Sequence, residues 1–345
     1  KIYMKGIFVM KYSIKELMSI NYAKLFYGRY RNNFFARIYY KNKSKKSLRR
    51  LMNRSTMIPI ICDKTNEVGQ FTHPDGFVTS EKFGNKIILT VSGYPFGSEH
   101  DESQYVLVSS DGIQFQNIVD NMALAEYTGN GRSHFSDGEI IEDNGKIYLF
   151  YRFCDVDHGD RIITILRKET DNLKEWNNET IILKKTAQTY ISPAIVKVFN
   201  GYNMFFVEEQ NDENMVLKRM HIDNIDFDNP MEETVEIEYI PKSMKLWHVD
   251  VIDEGDILHG LFVYTTGAGG KGARLYYAQS VDGGKKWKTC KEIKLDVNYE
   301  YVSKIYRSTM IKVNGEWFLY VPVNTKDECW FLMLKKEFNP ANYMI

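Results

Sequence analysis

Apolar and polar positions follow two rhythms along this chain. Up to about residue 55 they recur with a helical period; from about residue 57 they alternate in short runs broken by Gly, Asn and Asp. In the first region Ser13-Ile14-Lys15-Glu16 reads as a capping box. Apolar residues follow it at Leu17, Met18, Tyr22, Leu25 and Phe26. The pattern predicts a helix there, a second near 33–40 and a strongly basic third near 43–52.

In the second region one phrase recurs five times. A polar kink opens an apolar strand, a turn follows, and an aromatic-rich strand returns. The copies start at His73-Pro74-Asp75, Ser136-Asp137-Gly138, Ser192-Pro193-Ala194, His248-Val249-Asp250 and Arg307-Ser308-Thr309. Taken on Asp75, Asp137, Pro193, Asp250 and Arg307, the steps are 62, 56, 57 and 57 residues. The pattern predicts three strands per repeat: 76–80, 86–92 and 104–109; 139–142, 146–153 and 161–168; 194–198, 202–207 and 215–221; 249–253, 258–265 and 274–280; 309–313, 317–323 and 329–335. Asn144-Gly145, Asn200-Gly201 and Asn314-Gly315 sit at one offset and are hairpin turns. Ser109-Ser110-Asp111-Gly112 and Ser280-Val281-Asp282-Gly283 form a second repeated turn, with a degenerate copy at Glu169-Thr170-Asp171-Asn172. Their Asp residues are expected to accept backbone N–H groups, which is a structural role.

A strand-built repeat of this length implies an all-β fold: a five-bladed β-propeller over 56–345, preceded by a short basic helical segment, 1–55. Equivalent positions then converge on one central funnel. Starts of first strands supply His73, Asp75, Asp137, Glu139, His248, Asp250, Arg307 and Ser308. Ends of second strands supply Tyr94, Arg152, Glu208 and Tyr264.

Composition changes this picture in one respect. The 345 residues carry no net charge, yet residues 1–55 hold 15 Lys and Arg against the single acid Glu16. That asymmetry points to an arm that meets an anionic surface or a partner protein, or packs on the acidic propeller. Tyr27-Gly28-Arg29-Tyr30-Arg31 mixes aromatic and basic residues, but no nucleic-acid fold surrounds it and no nucleic-acid partner is expected. Cys62, Cys154, Cys290 and Cys329 show no metal or disulfide spacing and read as reduced. No run approaches the ~18 apolar residues of a membrane span. The opening residues lack a cleavage site, so no signal peptide is expected, and a cytoplasmic or non-classically released protein follows. A native start at Met4, Met10 or upstream is expected, since the chain opens on Lys1.

Carboxylates sharing a funnel push one another's pKa apart. Glycoside hydrolysis uses that separation, with one carboxyl protonated and another ionised. The blander reading is that polar axial residues satisfy strand ends around water. Aromatic residues beside the acids suit stacking on sugars; His73, Tyr94, Arg152 and Trp247 are the expected substrate contacts. His73, Asp75, His248 and Asp250 also read as a set able to ligate a cation, and a structural Ca2+ on the axis suits such oxygen ligands. No cofactor is required by this reading, and no zinc signature occurs. The glycine-rich run 267–272 lies in a hairpin and is no phosphate loop.

The phrases Thr72-His73-Pro74-Asp75, Phe135-Ser136-Asp137, Ile191-Ser192-Pro193-Ala194, Trp247-His248-Val249-Asp250 and Tyr306-Arg307-Ser308-Thr309, with the Asp-Gly turns, resemble the arabinanase, levansucrase and invertase superfamily, most of all glycoside hydrolase family 43. The resemblance covers about 70–335. It implies an inverting glycosidase in which Asp75 is the general base and Asp137 the second carboxylate. The third blade opens with Ser192-Pro193 rather than the family's Glu. Asp250 by position, or Glu208 by residue type, then takes the general acid's place. His248 and Arg307 become further substrate contacts. The chain is therefore expected to be a glycosidase acting on an oligo- or polysaccharide. The alternative is a non-catalytic carbohydrate-binding propeller serving as an attachment or accessory module. Transfer to a second sugar is a third outcome of the same constellation.

Overall fold

The computed structural model describes residues 34–63, 70–119, 122–129, 131–211 and 214–344. Five sheets stand around one axis. Their first strands are Phe71–Val78, His134–Asp143, Ile191–Val198, Lys245–Asp253 and Thr309–Val313. Each contacts the next in order, and the last contacts the first, so the ring is closed. Second strands run antiparallel to them over Ile87–Gly93, Lys146–Asp155, Gly201–Asn211, Leu258–Thr265 and Glu316–Thr325. The chain's own start fastens the circle. Ile58–Pro59 pairs with Trp330–Phe338 as the outer strand of blade five, and Ile61–Asp63 pairs with Gln114–Asn117 at the edge of blade one.

The predicted blades are all present, with differences at their margins. In blades one to four the first strands begin earlier than expected because the polar kink lies inside the strand rather than before it; in blade five the strand is Thr309–Val313, as expected. Fourth strands, expected of a propeller blade but not located in the sequence, include Met231–Thr234, which is exposed throughout and carries no apolar alternation. Asn144-Gly145 and Asn314-Gly315 take positive φ at both residues, as tight hairpins require. In the second repeated turn Asp111 Oδ1 accepts from the N–H groups of Ile113 and Gln114 at 2.8 and 2.9 Å. Asp282 Oδ1 does the same for Lys285 and Lys286 at 3.0 and 3.1 Å. In the degenerate copy Asn172, not Asp171, takes this role.

Apolar clusters fill the seams between blades. Phe205 and Trp287 meet edge to face across blades three and four, with centroids 5.6 Å apart. Between blades four and five the seam also takes in helix α1 (Phe34–Leu51), one continuous helix where two had been expected. Tyr40 and Leu51 are buried there, Tyr40 lies 4.8 Å from the Phe96 ring, and Ser47 Oγ bonds Thr325 Oγ1 at 2.7 Å. Its exposed face carries Lys41, Lys45, Lys46, Arg49 and Arg50. The helix expected from Ser13 and the Tyr/Arg run at 27–31 lie outside the described residues. None of the four cysteines forms a disulfide, and no described helix is long and apolar enough to cross a membrane.

Candidate functional site

In four of the five first strands the kink is a β-bulge. Pairing slips between Thr72 and Asp75, Ser136 and Glu139, Ile191 and Ala194, and Leu246 and His248. His73, Asp137 and Ser192 occupy the bulge with φ of 46°, 51° and 52°. A bulge re-aims side chains, and here it sorts the funnel into two layers. The upper layer holds His73, Asp137, Ser192 and His248. The residues two places further on, Asp75, Glu139, Ala194 and Asp250, form the lower layer. Asp75 therefore answers to Glu139 in blade two, while Asp137 answers to His73. Matching Asp75 with Asp137 by residue type crosses the layers.

The lower layer is a buried ion cluster. Arg307, wholly inaccessible to solvent, donates through Nη2 to Glu139 Oε2 at 2.5 Å and Asp250 Oδ1 at 2.7 Å, and through Nη1 to the Gly138 carbonyl at 2.9 Å. Asp75 Oδ1 is 3.9 Å from the same Nη2, and Asp75 Oδ2 accepts from the Ile140 N–H at 2.7 Å. Glu139 Oε1 likewise accepts from the Ile195 N–H at 2.7 Å. Three carboxyls share one guanidinium, and two of them, Asp75 and Glu139, are raised. Burial, then the charge of Asp250, push Asp75 up to about 7 against the pull of Arg307. Burial and Asp75 push Glu139 well above the carboxyl range. Arg307 was expected to touch substrate; its burial and its three carboxylate partners give it this structural task instead.

The upper layer opens on a cleft of about 240 Å3. Its floor is His73, Asp137 and His248; Tyr94, Trp247 and Tyr306 provide aromatic walls; Glu102, His134, Arg132, Arg152 and Arg161 are among the other lining residues. Tyr306 stacks on His73 with centroids 5.3 Å apart, and Trp247 lies 4.8 Å from the His248 ring. Asp137 is fully buried and held by Arg152 Nη2 at 2.9 Å. Burial would raise this carboxyl, but Arg152, then His73, His248 and Arg307, outweigh it and hold Asp137 well below the usual range. Burial and His73 push His248 well below an ordinary histidine, so its ring is neutral. Ser192 Oγ lies 3.3 Å from Asp137 Oδ1 and 2.6 Å from His248 Nδ1. The position where a Glu had been sought thus orients its neighbours.

Of the residues expected at the site, His73, Tyr94, Asp137, Arg152, Trp247 and His248 line the cleft. Asp75, Asp250 and Arg307 lie beneath it. Glu208 belongs to neither layer; it is bound to Lys185 Nζ at 2.8 Å and Thr189 Oγ1 at 3.2 Å, with Lys218 Nζ at 3.6 Å. The cation set His73, Asp75, His248 and Asp250 is split between layers; the convergent trios are His73–Asp137–His248 and Asp75–Glu139–Asp250. Glu102 and Tyr306 are the additions. Glu102 sits in a rim loop, and its position carries no repeat signal.

No protein-family model and no curated protein sequence matches the chain. Solved structures do. An N-acetylgalactosamine deacetylase from F. plautii, in complex with blood group B trisaccharide, is 14% identical, with 82% of this chain and 94% of that one covered at a TM-score of 0.66. A GH43_1 enzyme from Xanthomonas citri is 14% identical, with coverage of 87% and 96% and a TM-score of 0.61. A GH43 endo-arabinanase from Bacillus licheniformis is 13% identical, with coverage of 79% and 96% and a TM-score of 0.54. Identities this low speak to fold alone. The chain therefore has the five-bladed propeller fold found in glycoside hydrolase family 43 enzymes.

Proposed function

We propose that the protein hydrolyses a glycan in the cleft above Asp137. One observation carries this reading: an ionised, fully buried carboxylate stands at the floor of an aromatic-walled cleft at the mouth of the funnel. Trp247, Tyr306 and Tyr94 offer faces for sugar rings, and Arg132, Arg152 and Arg161 offer donors to hydroxyl or carboxyl groups. The structural neighbours support a saccharide as ligand. They also perform two reactions on one fold, glycoside cleavage and deacetylation, so the fold does not choose between them.

In this reading Asp137 is the carboxylate that meets substrate. Asp75, Glu139 and Asp250 act from below by fixing the strands on which the floor residues stand. Glycosidic cleavage by paired carboxyls adds the requirement of a proton donor at the leaving oxygen. Asp75, buried beneath the cleft and raised to about 7, does not suit the base role implied by the resemblance. A second reading, a sugar-binding propeller without turnover, draws support from Ser192 standing where that family presents its acid.

The test is product release from a panel of polysaccharides, aryl-glycosides and N-acetylated oligosaccharides, run beside Asp137→Asn. Product from the parent and none from the variant is expected. Saturable glycan binding without product from any substrate selects the binding module. Undiminished turnover in Asp137→Asn removes that residue from the reaction.

A further inference from the structure

We infer that His73, Asp137 and His248 form a three-ligand site for a divalent transition-metal ion at the floor of the cleft. The site's existence is independent of the glycan-hydrolase reading; its use in that reaction rests on it. Ligand atoms of the three side chains lie within 4.8 Å of one another. His73 Nε2 is 3.6 Å from Asp137 Oδ1, close to the ~3.4 Å between two ligands held tetrahedrally at about 2.1 Å from one ion.

The surroundings prepare each group to ligate. His73 presents Nδ1 to Thr72 Oγ1, Glu102 Oε1 and Ser92 Oγ at 3.2, 3.3 and 3.4 Å. His248 presents Nδ1 to Ser192 Oγ at 2.6 Å. Acceptors on that side fix the tautomer with hydrogen on Nδ1 and leave Nε2 as a bare lone pair. Both Nε2 atoms are buried without a hydrogen-bond partner, in residues only 4% and 3% exposed. A ligand histidine is built in this way, with the far nitrogen tied to a carboxylate or other oxygen. On Asp137, Oδ2 is taken by Arg152 Nη2 at 2.9 Å, while Oδ1 lies 3.6 Å from His73 Nε2 and 3.8 Å from the Nδ1 of His248. All three residues line the cleft, so coordination positions not filled by protein face substrate.

The second trio argues the contrast. Asp75, Glu139 and Asp250 also converge, but Arg307 already stands among them as their cation. Two nitrogens and one oxygen favour Zn2+, Mn2+ or Fe2+ over Ca2+, which prefers oxygen donors alone. The ion would polarise a substrate oxygen or lower the pKa of a bound water, which any hydrolysis in this cleft would use.

The test reads metal, not turnover. Full-length protein is stripped with chelator and titrated with Zn2+ and Co2+, following bound metal, thermal midpoint and the visible absorption of Co2+. One ion per chain, a raised midpoint and a Co2+ spectrum with nitrogen ligation are expected. His73→Ala and His248→Ala should lose the ion, and His221→Ala, on an outer strand, should keep it. Glu102→Gln, which positions His73, should weaken binding by about 10–100-fold while leaving the metal-free midpoint close to the parent's. Folded parent protein that binds no ion, or binds one equally well in both histidine variants, overturns the proposal. The Co2+ spectrum of the parent decides the matter if those variants do not fold. Metal binding without glycan turnover would refute the proposed function and leave the site standing; metal-independent turnover with no ion bound would do the reverse.

Discussion

Replacing Arg307 by Met tests the reading of the lower layer. The side chain is wholly buried and serves Glu139, Asp250 and the Gly138 carbonyl at 2.5, 2.7 and 2.9 Å. Met fills a similar volume but leaves the carboxyls without their cation. Breaking a buried ion pair from one side costs about 3–5 kcal/mol. Protonation sets a ceiling on that cost. Holding one carboxyl neutral in the folded state, against an unfolded pKa near 3.9, costs about 1.4 kcal/mol per pH unit above it. The ceiling is therefore about 4 kcal/mol at pH 7 and about 1.5 kcal/mol at pH 5 for one displaced carboxylate. The lost bond to Gly138 adds about 1 kcal/mol at either pH. The sign follows from the direction of the shifts: Asp75 and Glu139 are raised, so protonation relieves the cluster and acid reduces the damage. Urea unfolding of parent and Arg307→Met at both pH values is the assay. A loss of roughly 4–5 kcal/mol at pH 7, falling to roughly 2–3 kcal/mol at pH 5, is expected. A loss below about 1 kcal/mol at pH 7, or equal losses at the two pH values, would refute the claim that Arg307 neutralises this layer.

Three further outcomes follow from local geometry. Gly76→Ala places a Cβ 2.0 Å from the Ile88 carbonyl oxygen, so the first two strands of blade one must part; a loss of about 1–3 kcal/mol in denaturant unfolding is expected, and an unchanged midpoint would show that the strands have slack. Asp282→Ala removes the acceptor for the Lys285 and Lys286 N–H groups and should cost about 1 kcal/mol without altering glycan chemistry. Asp282 has a depressed pKa, so its contribution is present above the ordinary carboxyl range and fades as pH falls below it; a difference from the parent that grows in acid would contradict this. Trp247→Ala should weaken saccharide binding by roughly tenfold, about 1.4 kcal/mol, with the unfolding midpoint nearly unchanged; calorimetry with the best glycan of the panel measures it, and full affinity in the variant would move the binding wall elsewhere.

Much of the fold was legible because its signals are local. A hairpin turn such as Asn144-Gly145 needs positive φ at both residues, and few residues supply it. The kink phrase, repeated five times at intervals near sixty residues, counts the blades without any knowledge of tertiary structure. The outer strands gave no such signal. Met231–Thr234 has no buried face to impose alternation, so its partner strand, not its own composition, makes it a strand. Helix α1 was read as two, with a gap at the polar pair Lys41-Asn42, yet Ser44 and Ser47 are buried and Ser47 bonds Thr325. Tertiary packing carries the helix through a stretch that local propensity divides.

The site was legible in membership and not in depth. The starts of the first strands named His73, Asp75, Asp137, Glu139, His248, Asp250 and Arg307 correctly as neighbours, because propeller symmetry brings equivalent positions to one axis. It could not say which lie at the mouth. Each bulge separates the two layers by only two residues, and matching by type joined Asp75 to Asp137 across them. Glu208 was drawn in by the same habit, although its strand ends it among Lys185 and Lys218. The layers differ in how their charge is balanced. Below, the chain supplies its own cation in Arg307, and the raised carboxyls of Asp75 and Glu139 hold protons more readily than exposed ones. Above, Arg152 holds one oxygen of Asp137, the other lies beside the rings of His73 and His248, and both Nε2 atoms are left without a hydrogen-bond partner. The lower arrangement is closed and suits rigidity; the upper one lines the cleft, leaves electron pairs uncommitted, and holds the groups that the proposed glycan chemistry would use.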